Sequence, residues 1–247
     1  MIKFFRKIRY DLMDKNETGK YFKYAIGEII LVVFGILIAL QVNTWNQERI
    51  LNNEEETILK DITAEFLQNK EALNTAINNN VDCFEASNTI FQLIGKNLFE
   101  IKKHNTDSLL YNIFETGEFI PSENTISDLI QSGRLQVLHN EKLKVYIYDW
   151  SKAMESYKTS LDRRSKKIDD ALIPYLSKKY SLKDIDNYGI LSWKNKSSLK
   201  HEKLLIFEDI EFENILDDYI YRVKSEKSRL MSLEAIVDNI LIATKKR

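Results

Sequence analysis

Apolar residues along this chain fall into one continuous run and several periodic stripes. Ile29 to Leu40 is apolar throughout, with one glycine. Extended outward, the run covers Ala25 to Trp45 and holds a single charge, Glu28. At about 1.5 Å per helical residue it matches the roughly 30 Å hydrocarbon core of a bilayer. Trp45 at one end, and Tyr21 and Tyr24 at the other, stand where aromatic belts anchor a span. From 36 to 94 there is neither glycine nor proline. There Ile58, Ile62, Phe66, Leu73, Ile77, Val81, Phe84, Phe91 and Ile94 recur at steps of three or four, or sums of them. That spacing predicts an amphipathic helix continuous with the span, with Asn52-Asn53 its weakest point.

Further along, Lys96 to Asn105 reads as a loop. Thr106-Asp107-Ser108 starts a short helix ended by Gly117. After Pro121, Ser122 or Asn124 caps a second short helix that reaches Gly133, a good residue to follow a helix end. Asn140 caps a long helix in which Leu143, Ile147, Trp150, Met154, Tyr157 and Leu161 form a bundle-type seam. Arg164 and Ile168 continue that seam, and Pro174 should kink or end the helix near Ile173. Arg164 is expected to snorkel at the stripe edge, the alternative being a pair with a core acid. Residues 181–208 are the least periodic part and read as a long connection. Asp209 caps a last helix with Phe212, Ile215, Tyr219, Val223, Leu230, Leu233, Val237 and Ile240 on one face. Glu226 is the charged residue on that stripe and is expected at its edge, and the helix is expected to fray at Lys245-Lys246-Arg247. The expected fold class is all-α, with one N-terminal transmembrane helix running into a helical-bundle domain of three long helices plus short ones. The divisions are 1–24, a basic segment; 25–45, the transmembrane helix; and 46–247, an extracytoplasmic bundle.

Composition supports long helices, with only 7 glycines and 2 prolines in 247 residues. Net charge is −1, from 36 basic and 37 acidic residues, but the bases crowd at one end. Residues 1–24 carry seven bases and three acids, and the rest of the chain is net acidic. By the positive-inside rule the N-terminus is cytoplasmic and the large C-terminal part lies outside. The leader is long for a signal peptide and no A-x-A site follows the run, so an uncleaved anchor is expected. A cleaved signal, or a core helix of a soluble protein, is the alternative. Ile2, Phe5, Ile8 and Leu12 have helical spacing, which fits a basic helix on the inner leaflet or a flexible basic tail. Asn16-Glu17-Thr18-Gly19 reads as a turn before the span. Glu28, Val32, Gly35 and Ala39 share one face of the span, and Gly35 and Ala39 form a small-xxx-small pair. Two readings of Glu28 stand: a membrane-packing role, or a hydrated carboxylate about a turn inside the boundary.

Gly19-Lys20-Tyr21, Tyr24 to Ile29, Leu31-Val32-Val33, Gly35 to Gln41, Asn43 and Trp45-Asn46 resemble the N-terminal signature of a family. It is an uncharacterised Bacteroidota family, catalogued as a domain of unknown function (6090). Phe4 to Arg9 fits as well, with a looser likeness at Asp128 to Gly133 and Asn140 to Leu143. The resemblance implies a Gram-negative source, hence a periplasmic bundle on an inner-membrane anchor. It supplies no activity and no catalytic residues.

Candidate chemistry adds little. His104, His139 and His201 are widely spaced, and no zinc, phosphate-loop, dinucleotide or nucleophile-elbow motif is present. The single cysteine, Cys83, lies on an apolar helix and reads as a buried structural thiol. Tyr146, Tyr148, Trp150 and Tyr157 read as core, the alternative being the lining of a cleft. No catalytic, cofactor or metal residue is assigned, and no nucleic-acid footprint is visible. The expected partners are the lipid bilayer and either another protein or a second copy of the chain. Three functions stay open: an anchored adaptor or sensor-like binding module, a structural homo-oligomer packed through Gly35 and Ala39, and an enzyme with an unrecognised site.

Overall fold

The computed structural model describes residues 6, 10, 18–115, 117–199 and 202–245. Those residues are helical with short connections, and no strand occurs among them. Eight α-helices follow in order: α1 (Thr18–Leu93), α2 (Leu98–Ile101), α3 (Thr106–Phe114), α4 (Asn124–Gln131), α5 (Glu141–Lys167), α6 (Ile173–Lys179), α7 (Leu182–Asp186) and α8 (Ile210–Ala243). Contacts divide the chain into two units, Met1–Thr57 and Ile58–Arg247.

In the first unit, α1 is long and apolar enough from Phe22 onward to cross a membrane. Its most apolar window has no buried residue. Thr18 and Gly19 already belong to α1, so the turn expected over Asn16 to Gly19 does not extend to them. A helix's first turn tolerates them because its N–H groups have no intrahelical partner in any case. Ile2, Phe5, Ile8, Leu12, Asn16 and Glu17 lie outside the described residues, as does the side chain of Tyr21.

The second unit is built on three long segments, α1 from Ile58, α5 and α8. One core holds Ile62, Phe66 and Leu73 of α1, Ile147 and Trp150 of α5, and Leu233 and Val237 of α8. A second core holds Ile90 of α1 and Leu216 and Tyr219 of α8, with Leu110, Leu176 and Phe207 from the shorter elements. The order of these residues means α1 and α5 run the same way and α8 returns.

In α1 the buried line differs from the expected one after Leu73. It passes through Ala76, Asn80, Cys83, Ser87, Ile90 and Leu93, while Ile77, Val81, Phe84, Phe91 and Ile94 are half-buried. Small and polar residues take the line where their donor groups find backbone carbonyls. Asn80 Nδ2 donates to Val223 O at 3.3 Å, and Ser87 Oγ donates to Cys83 O at 2.7 Å.

Several connections carry more structure than expected. The segment read as a loop over Lys96 to Asn105 contains α2, because Asn97 accepts from Glu100 N at 3.0 Å and Ile101 is buried. Helix α4 begins after Glu123, whose side chain makes no cap bond, so neither Ser122 nor Asn124 is its cap. The cap comes from across the bundle: Glu65 Oε2 of α1 accepts from Thr125 N at 2.8 Å. Asn69 holds the turn beside Pro121, exchanging bonds of 2.8 Å with Ser122 N and Ser122 O.

Three punctuation marks act as expected. Gly133 follows α4 in the left-handed region (φ 72°). Asn140 accepts from Lys142 N and Leu143 N at the start of α5, and Asp209 accepts from Glu211 N at the start of α8. The break near Pro174 takes a particular form, a π-helical turn over Ile168–Leu172 before α6. A widened turn relieves the clash between the proline ring and the carbonyl four residues back. Helix α8 ends at Ala243, whose carbonyl accepts from Asn140 Nδ2 at 3.0 Å, and Lys246 and Arg247 lie outside the described residues.

Candidate functional site

On each long helix the buried line passes from one core to the other at a polar residue. These are Asn80 on α1, Arg164 on α5 and Glu226 on α8. Arg164 and Glu226 have side chains 2% and 0% exposed, and the Arg164 guanidinium donates through Nε to Glu226 Oε2. This overturns the expectation that both sit at stripe edges. A charge that would snorkel from an isolated helix is buried when an opposite charge faces it on the neighbouring one. Burial pushes the Glu226 carboxyl above its ordinary range, with Arg164 acting against that shift. Burial works against the Arg164 charge, but Glu226 and Tyr219 together outweigh it, so the guanidinium stays firmly protonated. Asn80 Oδ1 and Glu226 Oε1 are buried without a protein partner among the described residues.

Phenols and a thiol close this layer on both sides. Tyr219 donates to Ile113 O at 2.6 Å and lies 3.3 Å from Cys83 Sγ. Tyr157 accepts from Phe119 N at 2.9 Å, and burial pushes its pKa up to about 12. Burial also pushes the Cys83 thiol up, which leaves it protonated and a poor nucleophile. Of the four aromatics weighed earlier, Trp150 and Tyr157 are core, Tyr146 is half-buried and Tyr148 is exposed.

On the outer side of α5 and α8, at the level of the buried pair, a groove of about 480 Å³ runs between the helices. Half-buried Ser156, Ser160, Ser225 and Arg222 form its floor. The short hydroxyl side chains of the three serines leave the space. Exposed Lys152, Arg163, Arg229 and Tyr221 form the rim, beside Glu155 and Thr159. Asp218 orients Arg222 through bonds of 3.3 Å to Nε and 3.1 Å to Nη2. It also pairs with Lys167 at 2.8 Å. Burial raises the Asp218 carboxyl, but these two cations outweigh it and hold it below its ordinary range, so it stays ionised.

A third polar group fastens the long connection. Asp107, 1% exposed, accepts from Tyr180 at 2.6 Å, Lys196 at 2.7 Å and Lys203 at 2.7 Å. Ser197 N donates to Asp184 at 2.7 Å. The aperiodic connection is thereby tied down at Lys196, Ser197 and Lys203. Among the described residues no cluster of three or more His, Cys, Asp or Glu side chains is placed to hold a metal ion. His201 lies outside them.

In the first unit, Tyr24 and Trp45 are 55% and 62% exposed, and Arg49 lies 6.0 Å from the Trp45 ring centre. Gly35 and Ala39 are exposed on α1, Glu28 is half-buried, and a Cβ placed on Gly35 meets nothing within 4 Å.

In the polar layer the sequence marked the seam positions of Arg164 and Glu226, the buried thiol of Cys83 and the stripe positions of Tyr157 and Tyr219, but neither the pairing of the two charges nor the groove. The pair itself links residues 62 apart in the chain, and the groove draws its walls from two helices far apart in sequence. Comparison with family models, curated proteins and solved structures finds no match to this chain.

Proposed function

We propose that this chain is a single-pass inner-membrane protein of the Bacteroidota family that its N-terminus resembles. Its N-terminus is cytoplasmic, and its periplasmic helical bundle binds a protein or ligand partner without catalysing a reaction itself. The observation that carries the reading is the exposure of large apolar side chains on every side of α1 from Ile26 to Val42. In water that surface costs about 25 cal/mol per Å², and lipid removes the cost. The crowding of bases before the span supports the orientation. The bundle offers buried polar groups that fix its architecture and a polar groove on its surface, features of a recognition domain.

Fractionation of native cells tests the anchor: the protein should stay in the membrane pellet after alkaline carbonate extraction, and release into the supernatant rules it out. Affinity purification from solubilised native membranes tests the binding role, which a reproducible partner or ligand supports. The open small-residue face of Gly35 and Ala39 favours a second reading, a homo-oligomer packed through the span. Crosslinked dimer in the wild type, lost in Gly35→Leu, supports it; a wild type that never crosslinks excludes it.

A further inference from the structure

We infer that the groove between α5 and α8 binds a multiply charged phosphate-type oxyanion carried on a small polar molecule. The inference rests on reading the bundle as a binding module and names the chemistry of its ligand. Four cations line the groove, Lys152, Arg163, Arg222 and Arg229, against one acid, Glu155. Lys152, Arg163 and Arg229 make no ion pair with any described residue. Arg222 is the exception, and its partner Asp218 acts as an orienting group that fixes the fork from one side. Asp218 is itself shared with Lys167, so the wall keeps an excess of positive charge.

Charge number selects the ligand. A monocarboxylate would satisfy one guanidinium and leave the others exposed to mutual repulsion. A dianion or higher, with several oxygens in different directions, engages two forks and the lysine together. The floor adds hydroxyls from Ser156, Ser160 and Ser225, whose side chains reach a tetrahedral oxyanion as donors. The volume, about 480 Å³, lies in the range of small-molecule sites and exceeds what one phosphate fills. The same chemistry is found on a soluble phosphate ester and on the headgroup of an anionic lipid.

The test is isothermal titration of the full chain in phosphatidylcholine nanodiscs with inorganic pyrophosphate at low ionic strength. The expected dissociation constant is below about 1 mM. Arg163→Gln with Arg229→Gln should weaken binding by at least about tenfold, since each removes a charge-assisted contact. Both side chains are exposed, and unchanged circular dichroism checks that the fold survives. Glu155→Gln, which removes the one acid in the wall, should tighten binding. No measurable binding, equal affinity for acetate, or a double variant that binds as the wild type does would each overturn the inference. Adding phosphatidylglycerol to the nanodiscs separates the two sources. Competition with pyrophosphate identifies the lipid headgroup, and unchanged affinity identifies the soluble ester. If native membranes yield a reproducible protein partner while pyrophosphate gives no heat, the groove assignment fails and the binding-module reading stands.

Discussion

Replacing Glu226 with leucine leaves Arg164 charged inside the bundle without the carboxylate that faces it. The guanidinium side chain is 2% exposed, so water cannot take the place of the lost carboxylate without opening the packing of α5 against α8. Breaking a buried pair from one side costs about 3–5 kcal/mol, which is a large part of the stability of an ordinary domain. Arg164→Met alone should cost a similar amount, because Glu226 is 0% exposed and one of its oxygens is already without a partner. The double variant removes both desolvation penalties and keeps apolar volume at the junction of the two cores. It should fall within about 1 kcal/mol of the wild type, giving a coupling energy of at least about 3 kcal/mol. The assay is urea unfolding of the full chain in neutral detergent, followed by far-UV circular dichroism. A double variant that loses the sum of the two single losses would refute the idea that each charge compensates the other's burial. The pH dependence carries a sign as well. Burial raises the Glu226 carboxyl above its ordinary 4.5. Its contribution is therefore fully present below 4.5 and is lost as pH rises through the raised value. The double variant should lack that loss.

Asp107→Asn should destabilise the bundle by about 2 kcal/mol near neutral pH and speed amide exchange over 187–199. Burial raises the Asp107 carboxyl, but bonds from Lys196, Lys203 and Tyr180 outweigh it and hold the group below its ordinary 3.8. The wild type therefore keeps this contribution above pH 3.8 and loses it as pH falls through the lower folded value, a slope the variant should not show. Gly117→Ala should cost about 1–2 kcal/mol in the same urea assay, since φ is +50° and the new Cβ would come 2.2 Å from Asn79 Nδ2. Asn140→Ala should cost about 1 kcal/mol or more, because the side chain caps α5 and also holds the last carbonyl of α8. Equal stability of either variant with the wild type would remove its stated role.

The long helices were legible because each buries one stripe, and a stripe is a property of a single segment. The caps at Asn140 and Asp209 and the glycine at Gly133 were legible for the same reason: their partners lie within a few residues. What the pattern misplaced depends on the neighbouring helix. The buried line of α1 moves onto Asn80 and Ser87, whose donors meet carbonyls of α8 and of the helix's own backbone, and no hydrophobicity pattern marks that. Arg164 and Glu226 look like edge residues until α5 and α8 are laid antiparallel, which sets them opposite each other. Helix α4 shows the same limit, capped by a glutamate 60 residues earlier in the chain. The groove was hidden because its arginines and serines are scattered through two segments of mixed charge, where bases and acids alternate without a motif.

The most direct test of the proposed anchor and orientation uses the chain's single native cysteine as a silent background. Cys83 is buried, and Cys83→Ser leaves a chain without thiols. Into it, Tyr10→Cys and Lys224→Cys are introduced one at a time, both at exposed positions on opposite sides of the span in sequence. A membrane-impermeant maleimide is then applied to spheroplasts and to lysed cells. The expected result is labelling of Lys224→Cys in both samples and of Tyr10→Cys only after lysis. Labelling of Tyr10→Cys in intact spheroplasts, with Lys224→Cys protected until lysis, would contradict the orientation, and recovery of both in the soluble fraction would contradict the anchor itself.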